Sequence, residues 1–174
     1  MKNKTNRRPS PNEYGAYYDT YISKVEQDDF LQALAEGKAA TAAFFRSLPE
    51  EKWDHRYAPG KWSVKELLQH LIDAERVFSY RALRIARNDM TPLPGFDENE
   101  YAPASKAALR SPSSLLAEYE AVREATIHLF MHLDGEALSR IGTASNHPVS
   151  PLAAAFIIAG HELHHVGVIK ERYL

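Results

Sequence analysis

Four stretches of this chain repeat apolar residues every three or four positions, the spacing that gathers them on one face of an α-helix. The first runs through Leu31, Leu34, Lys38, Ala42, Phe45 and Leu48. It opens at Asp28 or Asp29, either of which can cap a helix, and stops before Pro49. In the second, Ser63 and Glu66 have the spacing of a capping box, and Val64, Leu67, Leu68, Leu71, Phe78 and Ala82 carry the repeat to about Asn88. Ser111 and Pro112, as cap and first-turn proline, start the third. Its stripe is Leu115, Tyr119, Val122, Thr126, Phe130 and Leu133, and Asp134-Gly135 breaks it. Ser150-Pro151 repeats the same start signal and predicts a last helix over 151–172.

No stretch shows the alternation of a strand, so the pattern predicts an all-α fold, a four-helix bundle. Of the connections, 89–105 is the longest with no predicted structure, a length that often carries function. Near the N-terminus, NEYGAYYDTYI (12–22) places four tyrosines at 14, 17, 18 and 21, as a short helix or an extended segment packed as a lid over the domain. Residues 1–11, with two arginines and two prolines, are expected to be a disordered tail, leaving 12–174 as one domain.

Composition narrows the chemistry. The chain has 174 residues, 44% hydrophobic and 25% charged, which suits one globular domain. With 23 acidic residues against 21 basic ones, it lacks the basic surplus of a non-specific nucleic-acid binder. It has no cysteine and eight histidines. That excludes disulfides, cysteine-held zinc or iron–sulfur centres and a protein thiol nucleophile, so any metal has to be held by histidine and carboxylate. No apolar core follows the basic residues of MKNKTNRRPSP, and the strongest apolar run, Pro151 to Ala159, is too short to span a bilayer. A cytoplasmic location without membrane attachment is expected.

The last helix carries GHELHHVGVI. At about 100° per residue, His161 and His165 lie about 40° apart and one turn apart in height, so both imidazoles can converge on one ion. His164 lies about 60° to the other side of His161. Ala154, Ile157, Ile158 and Val168 surround the paired direction, and histidines facing an apolar interior need a hydrogen-bond partner or a metal. HELHH also satisfies the zinc-peptidase pattern H-E-x-x-H. Against that, Glu162 sits about 100° from His161, and only nine residues, none a histidine, follow His165. A third ligand has to come from upstream, and His70, on the flank of the second helix's stripe, is the best donor. Glu75 sits inside that stripe, as a support for a ligand, a ligand, or half of an ion pair with Arg76, Arg81, Arg84 or Arg87. His128 and His132 read as a packing or surface pair, and His55 and His147 stay unassigned.

With these residues in view, PGKWSVKELLQHLIDAERVFSYRALRIARND, TPLPGFDENEY and IIAGHELHHVGVIKERYL resemble the DinB/YfiT-like superfamily of metalloenzymes, over about Glu13 to Leu174. The resemblance implies a four-helix bundle with up-down-down-up topology and one divalent ion (Zn, Ni, Fe or Mn) near one end. Carried over residue by residue, the ligands are His70, His161 and His165, with His164 outside the set. The activities implied are those of a metal-dependent hydrolase, or of a transferase using a low-molecular-weight thiol such as bacillithiol or mycothiol; a non-catalytic metal or small-ligand binding protein is the third option. A small-molecule substrate and a homodimer are expected. Many relatives follow the histidine pair with Gly-Gln, whereas here Gly167 precedes Val168. With no cysteine in the chain, any thiol in the reaction must arrive as a small molecule. Asp97, Glu98 and Glu100 are expected to border the pocket, and Arg81 or Arg84 to hold an anionic substrate group.

Overall fold

The structure, a computed structural model, describes residues 7–174. The described chain forms helices α1 (Asp19–Ile22), α2 (Phe30–Arg46), α3 (Val64–Ala86), α4 (Glu98–Ala104), α5 (Pro112–Met131), α6 (Gly135–Ser139) and α7 (Pro151–Arg172), with strands β1 (Gly142–Ala144) and β2 (His147–Val149). The four long helices begin where their caps predict. Asp29 accepts from the backbone of Leu31 and Gln32, and Ser63 and Glu66 bond each other's backbone N–H. Ser111 and Ser150 each accept from the residue three positions on.

Their arrangement follows from which side chains meet. Both α2 and α3 pack against α5 and α7, so α2 and α3 sit on one diagonal of the bundle. Lys38 pairs with Glu124 and Arg46 with Glu120, which makes α2 and α5 antiparallel. Glu75 meets Arg123 and Ser79 meets Thr126, which makes α3 and α5 parallel. Tyr173, after the end of α7, donates to the carbonyl of Trp62 just ahead of α3, so those two are antiparallel. The result is a four-helix bundle running up, down, down, up.

Parallel neighbours require the chain to return along the bundle between them, and the connection from α3 to α5 does this. It is not structureless, as the sequence suggested. It forms α4, and Leu93 lies in register with Ala144 through hydrogen bonds to Thr143 and Ser145. The strands are also a departure from the all-helical expectation. Each has three residues, too few to show alternation, and they are joined by Ser145 and Asn146 at φ 51° and 63° in the manner of a tight hairpin turn. The tail boundary at residue 11 also moves. Residues 1–6 lie outside the described residues, but Arg7 holds Glu13 through two hydrogen bonds, and Arg8 donates to the carbonyls of Ile22 and Val25. Arg8 also stacks 5.1 Å over Phe156. Paired arginines fasten this segment where apolar anchors were missing.

The apolar core falls into two clusters. One joins Phe30, Leu34, Phe78 and Phe130 to Leu152–Ala159 of α7, and the other joins Phe45, Leu68 and Leu115 to Val166 and Ile169. Between them on α7 lie His161 and Glu162, both buried. Helix α7 is long and apolar enough to cross a membrane by composition, but 67% of its apolar window is buried within the protein. At Gly160 the tyrosine-bearing segment crosses α7 so closely that a Cβ would stand 2.0 Å from the carbonyl oxygen of Tyr21. Glycine there is what lets Tyr21 lie against the next residue, His161.

Candidate metal centre

Antiparallel packing of α3 and α7 sets one turn of each helix face to face, and His70 meets His161 and His165 there. The Nε2 atoms of His70 and His165 lie 3.1 and 3.0 Å from Nε2 of His161, and the three lie within 4.8 Å of one another. Rings set edge-on hold them: Tyr21 centres 5.1 Å from His161, and Trp62, tilted, centres 4.9 Å from His70. The cluster joins the middle of α7, ten residues beyond Pro151, to the second turn of α3, six residues beyond Val64.

Burial decides the protonation state. It lowers the pKa of His70 to about 4 and, reinforced by His70 and His164, that of His165 to about 3. Burial, with the neighbouring histidines adding to it, also holds His161 well below its usual value. All three are neutral near pH 7, and among the described residues no carboxylate is hydrogen-bonded to them. Three lone-pair nitrogens thus face one point with at most one proton to share across each contact. Ligands at about 2.0–2.1 Å on a tetrahedral ion stand about 3.3 Å apart, so the two contacts made by His161 are within a few tenths of an ångström of ligand spacing. His165 Nδ1 is buried and bonded to nothing among the described residues. The donor set fits a divalent cation of the zinc, nickel or iron kind.

The same shifts predict how the metal-free protein responds to acid. The unfolded chain protonates these histidines near pH 6.5, while the folded protein resists until about 4 or below. The unfolded state therefore binds more protons across that window, and stability falls as pH falls through it, by about 1 kcal/mol per pH unit for each buried histidine. The carboxylates held low by ion pairs, such as Glu66 and Glu118, lose their contribution only below their own range near 4.5, so pH 6.5 to 5 isolates the histidines. Urea midpoints of metal-free protein should drop clearly between pH 7 and 5. Equal midpoints would contradict the burial of the cluster.

The histidines line a cavity of about 310 Å³ whose walls include Tyr17, Tyr18, Tyr21, Arg81 and Glu98. His164 also faces it, but its nitrogens are not among the three that converge. Of the other residues expected here, Asp97 caps α4, and Arg84 is held by Asp89 and Tyr80 outside the cavity. Glu100 is exposed and does not line the cavity. His128 is exposed beside Glu124, His132 is exposed, His55 meets Tyr173 edge-on and His147 lies against Gly15.

Behind the histidines is a polar layer whose centre the sequence reading missed. Arg123 of α5 donates through Nε and Nη2 to Glu75 at 2.8 and 3.0 Å, and through Nη2 to Glu162 at 2.8 Å. Tyr119 donates to the same Glu162. Glu75 is paired as expected, but with another helix rather than with the arginines of its own. Glu162 is turned away from the cavity into this layer, which removes the general base that a zinc-peptidase reading requires. The signal was present: Arg123 falls four after Tyr119 and three before Thr126, on the buried stripe itself. A void of about 10 Å³ between His161, Glu75, Arg123 and Glu162 is about the size of one water.

The chain is similar to known proteins. The family model of the DinB superfamily matches residues 33–169. A candidate metal-dependent hydrolase of Oceanobacillus iheyensis is 27% identical over 128 residues, 71% of this chain and 72% of that protein. Another, from Bacillus mycoides, is 24% identical over 158 residues, covering 86% and 88%. The solved structure of YfiT from Bacillus subtilis, described as a candidate metal-dependent hydrolase with an unusual four-helix bundle topology, superposes with a TM-score of 0.75. It shares 20% identity over 94% of this chain and 91% of its own, which bears on the fold alone.

Proposed function

The chain belongs to the DinB superfamily, and we propose that it is a metal-dependent hydrolase of a small-molecule substrate, with one divalent cation held by His70, His161 and His165. The observation that carries this is the convergence of three neutral Nε2 atoms at the wall of an open cavity. A divalent ion on three uncharged ligands keeps its full charge and an open position, where it supplies Lewis acidity to a carbonyl or a water.

The protein's own groups divide the remaining tasks. Tyr21 and Trp62 pack against the ligand rings and hold their orientation. Burial raises the pKa of Tyr18 and Tyr21, so their hydroxyls keep their protons at neutral pH and act as donors in the cavity. Glu98, the one carboxylate lining the cavity among the described residues, is placed to accept a proton.

The test is a panel of p-nitrophenyl esters offered to metal-loaded and chelator-stripped protein, with and without a small thiol. Turnover that needs metal but no thiol is the expected result. The absence of cysteine gives the thiol arm a clean meaning. Activity appearing only with added thiol would replace hydrolysis by thiol transfer, and equal activity of stripped protein would refute a metal-dependent reaction.

A further inference from the structure

Two arginines are buried in the middle of this bundle, and they are treated differently. Arg123 has two carboxylates. Arg81, 2% exposed, has none among the described residues. Its Nη2 donates to the carbonyl of Pro94 at 2.8 Å and to Ser145 Oγ at 2.9 Å. The Tyr18 hydroxyl lies beside it, and its guanidinium stands 5.4 Å from the ring centre of Phe78 and 5.9 Å from that of Phe96. Every one of these neighbours is neutral. Beyond these groups and the Tyr18 hydroxyl, Arg81 has no described hydrogen-bond partner, and it lines the cavity. Buried charges are normally paired. A guanidinium that keeps its charge with its counter-ion missing is a site waiting for an anion.

Its position relative to the histidines is fixed by α3. His70, Ala74, Phe78 and Arg81 follow at intervals of four, four and three and form one wall of the cavity. His70 and Arg81 are separated by a rise of about 16 Å, and because helical side chains lean toward the N-terminus, Arg81 leans back toward the histidines. Between them lie only a methyl group and a phenyl ring.

We infer that the substrate is a small organic carboxylate with a short apolar body, its carboxylate held by Arg81 and its reacting group at the histidine end. This rests on the histidines being the reacting end, as proposed above. One guanidinium balances one negative charge, and Glu98, which lines the same cavity, disfavours a dianion such as a phosphate monoester. A cavity of about 310 Å³ is at the small end of ligand sites and suits a molecule about the size of a substituted benzoate.

Calorimetric titration with benzoate and with its neutral counterpart benzamide tests this without turnover. Metal-free wild-type protein should bind benzoate at least tenfold more tightly than benzamide. Arg81→Met should lose that preference, Arg81→Lys should keep part of it, and Arg84→Met all of it. Binding that persists in metal-free protein and vanishes in Arg81→Met upholds the anion site even if the histidines hold no metal. Equal affinity for the two probes in wild type, or an unchanged preference in Arg81→Met, overturns it. If Arg81→Met does not fold, the wild-type comparison of the two probes decides the question.

Discussion

Replacing Arg123 by methionine is expected to cost about 3–5 kcal/mol of folding stability, the price of leaving buried charge without its partner. The substitution keeps volume and removes the guanidinium shared by Glu75 and Glu162, whose side chains are only 4% and 2% exposed. Burial alone would lower the pKa of Arg123, but Glu162 and Glu75 raise it well above its usual value. Without that charge the two carboxylates repel each other and hold protons more tightly in the folded state than in the unfolded chain. The deficit against wild type should therefore shrink as pH falls from 7 to 5, because a group whose folded pKa is raised gains stability on acidification. Urea denaturation of both proteins across that range measures it. A deficit below about 1 kcal/mol, or one that grows on acidification, would mean that the layer is not the closed ion network described.

His161→Ala should lower metal-dependent turnover by at least about 100-fold, more than the loss usual for residues that only orient a ligand. His161 is the hinge of the cluster: its Nε2 makes both short contacts, to His70 and to His165. His164→Ala is the matched control, since His164 faces the same cavity and lies three residues on, yet contributes no nitrogen to the convergence. Its turnover should stay within a few-fold of wild type. Steady-state kinetics on both variants, after metal loading, separates the two cases. Comparable losses in the two would point to a general disturbance of α7 rather than to a ligand.

Much of this was legible in sequence because the signals are local. Asp29, Ser63 with Glu66, Ser111 and Ser150 each mark a helix start through a hydrogen bond within the next few residues. His161 and His165 share a face for the same reason. What the sequence hid depends on partners distant in the chain. The hairpin at 142–149 has strands of three residues and is held partly by Leu93 and Tyr14 from elsewhere. Arg123 shares the buried stripe of its own helix, but its partners Glu75 and Glu162 are brought to it by two other helices. Arg7 and Arg8 look like a solvated tail until Glu13 and Phe156 are placed beside them. In each case the decisive contact comes from outside the element itself, and the periodicity of that element does not name it.

The central claim is that three imidazole nitrogens hold one divalent ion. X-ray absorption at the metal edge of the loaded protein, together with its elemental stoichiometry, tests it most directly. One ion per chain is expected, with three imidazole nitrogens at about 2.0–2.1 Å and one further light atom. His70→Ala and His165→Ala should each remove an imidazole from that shell or lose the ion. A wild-type shell with fewer than three imidazoles, or an unchanged three-imidazole shell in either variant, would contradict the account.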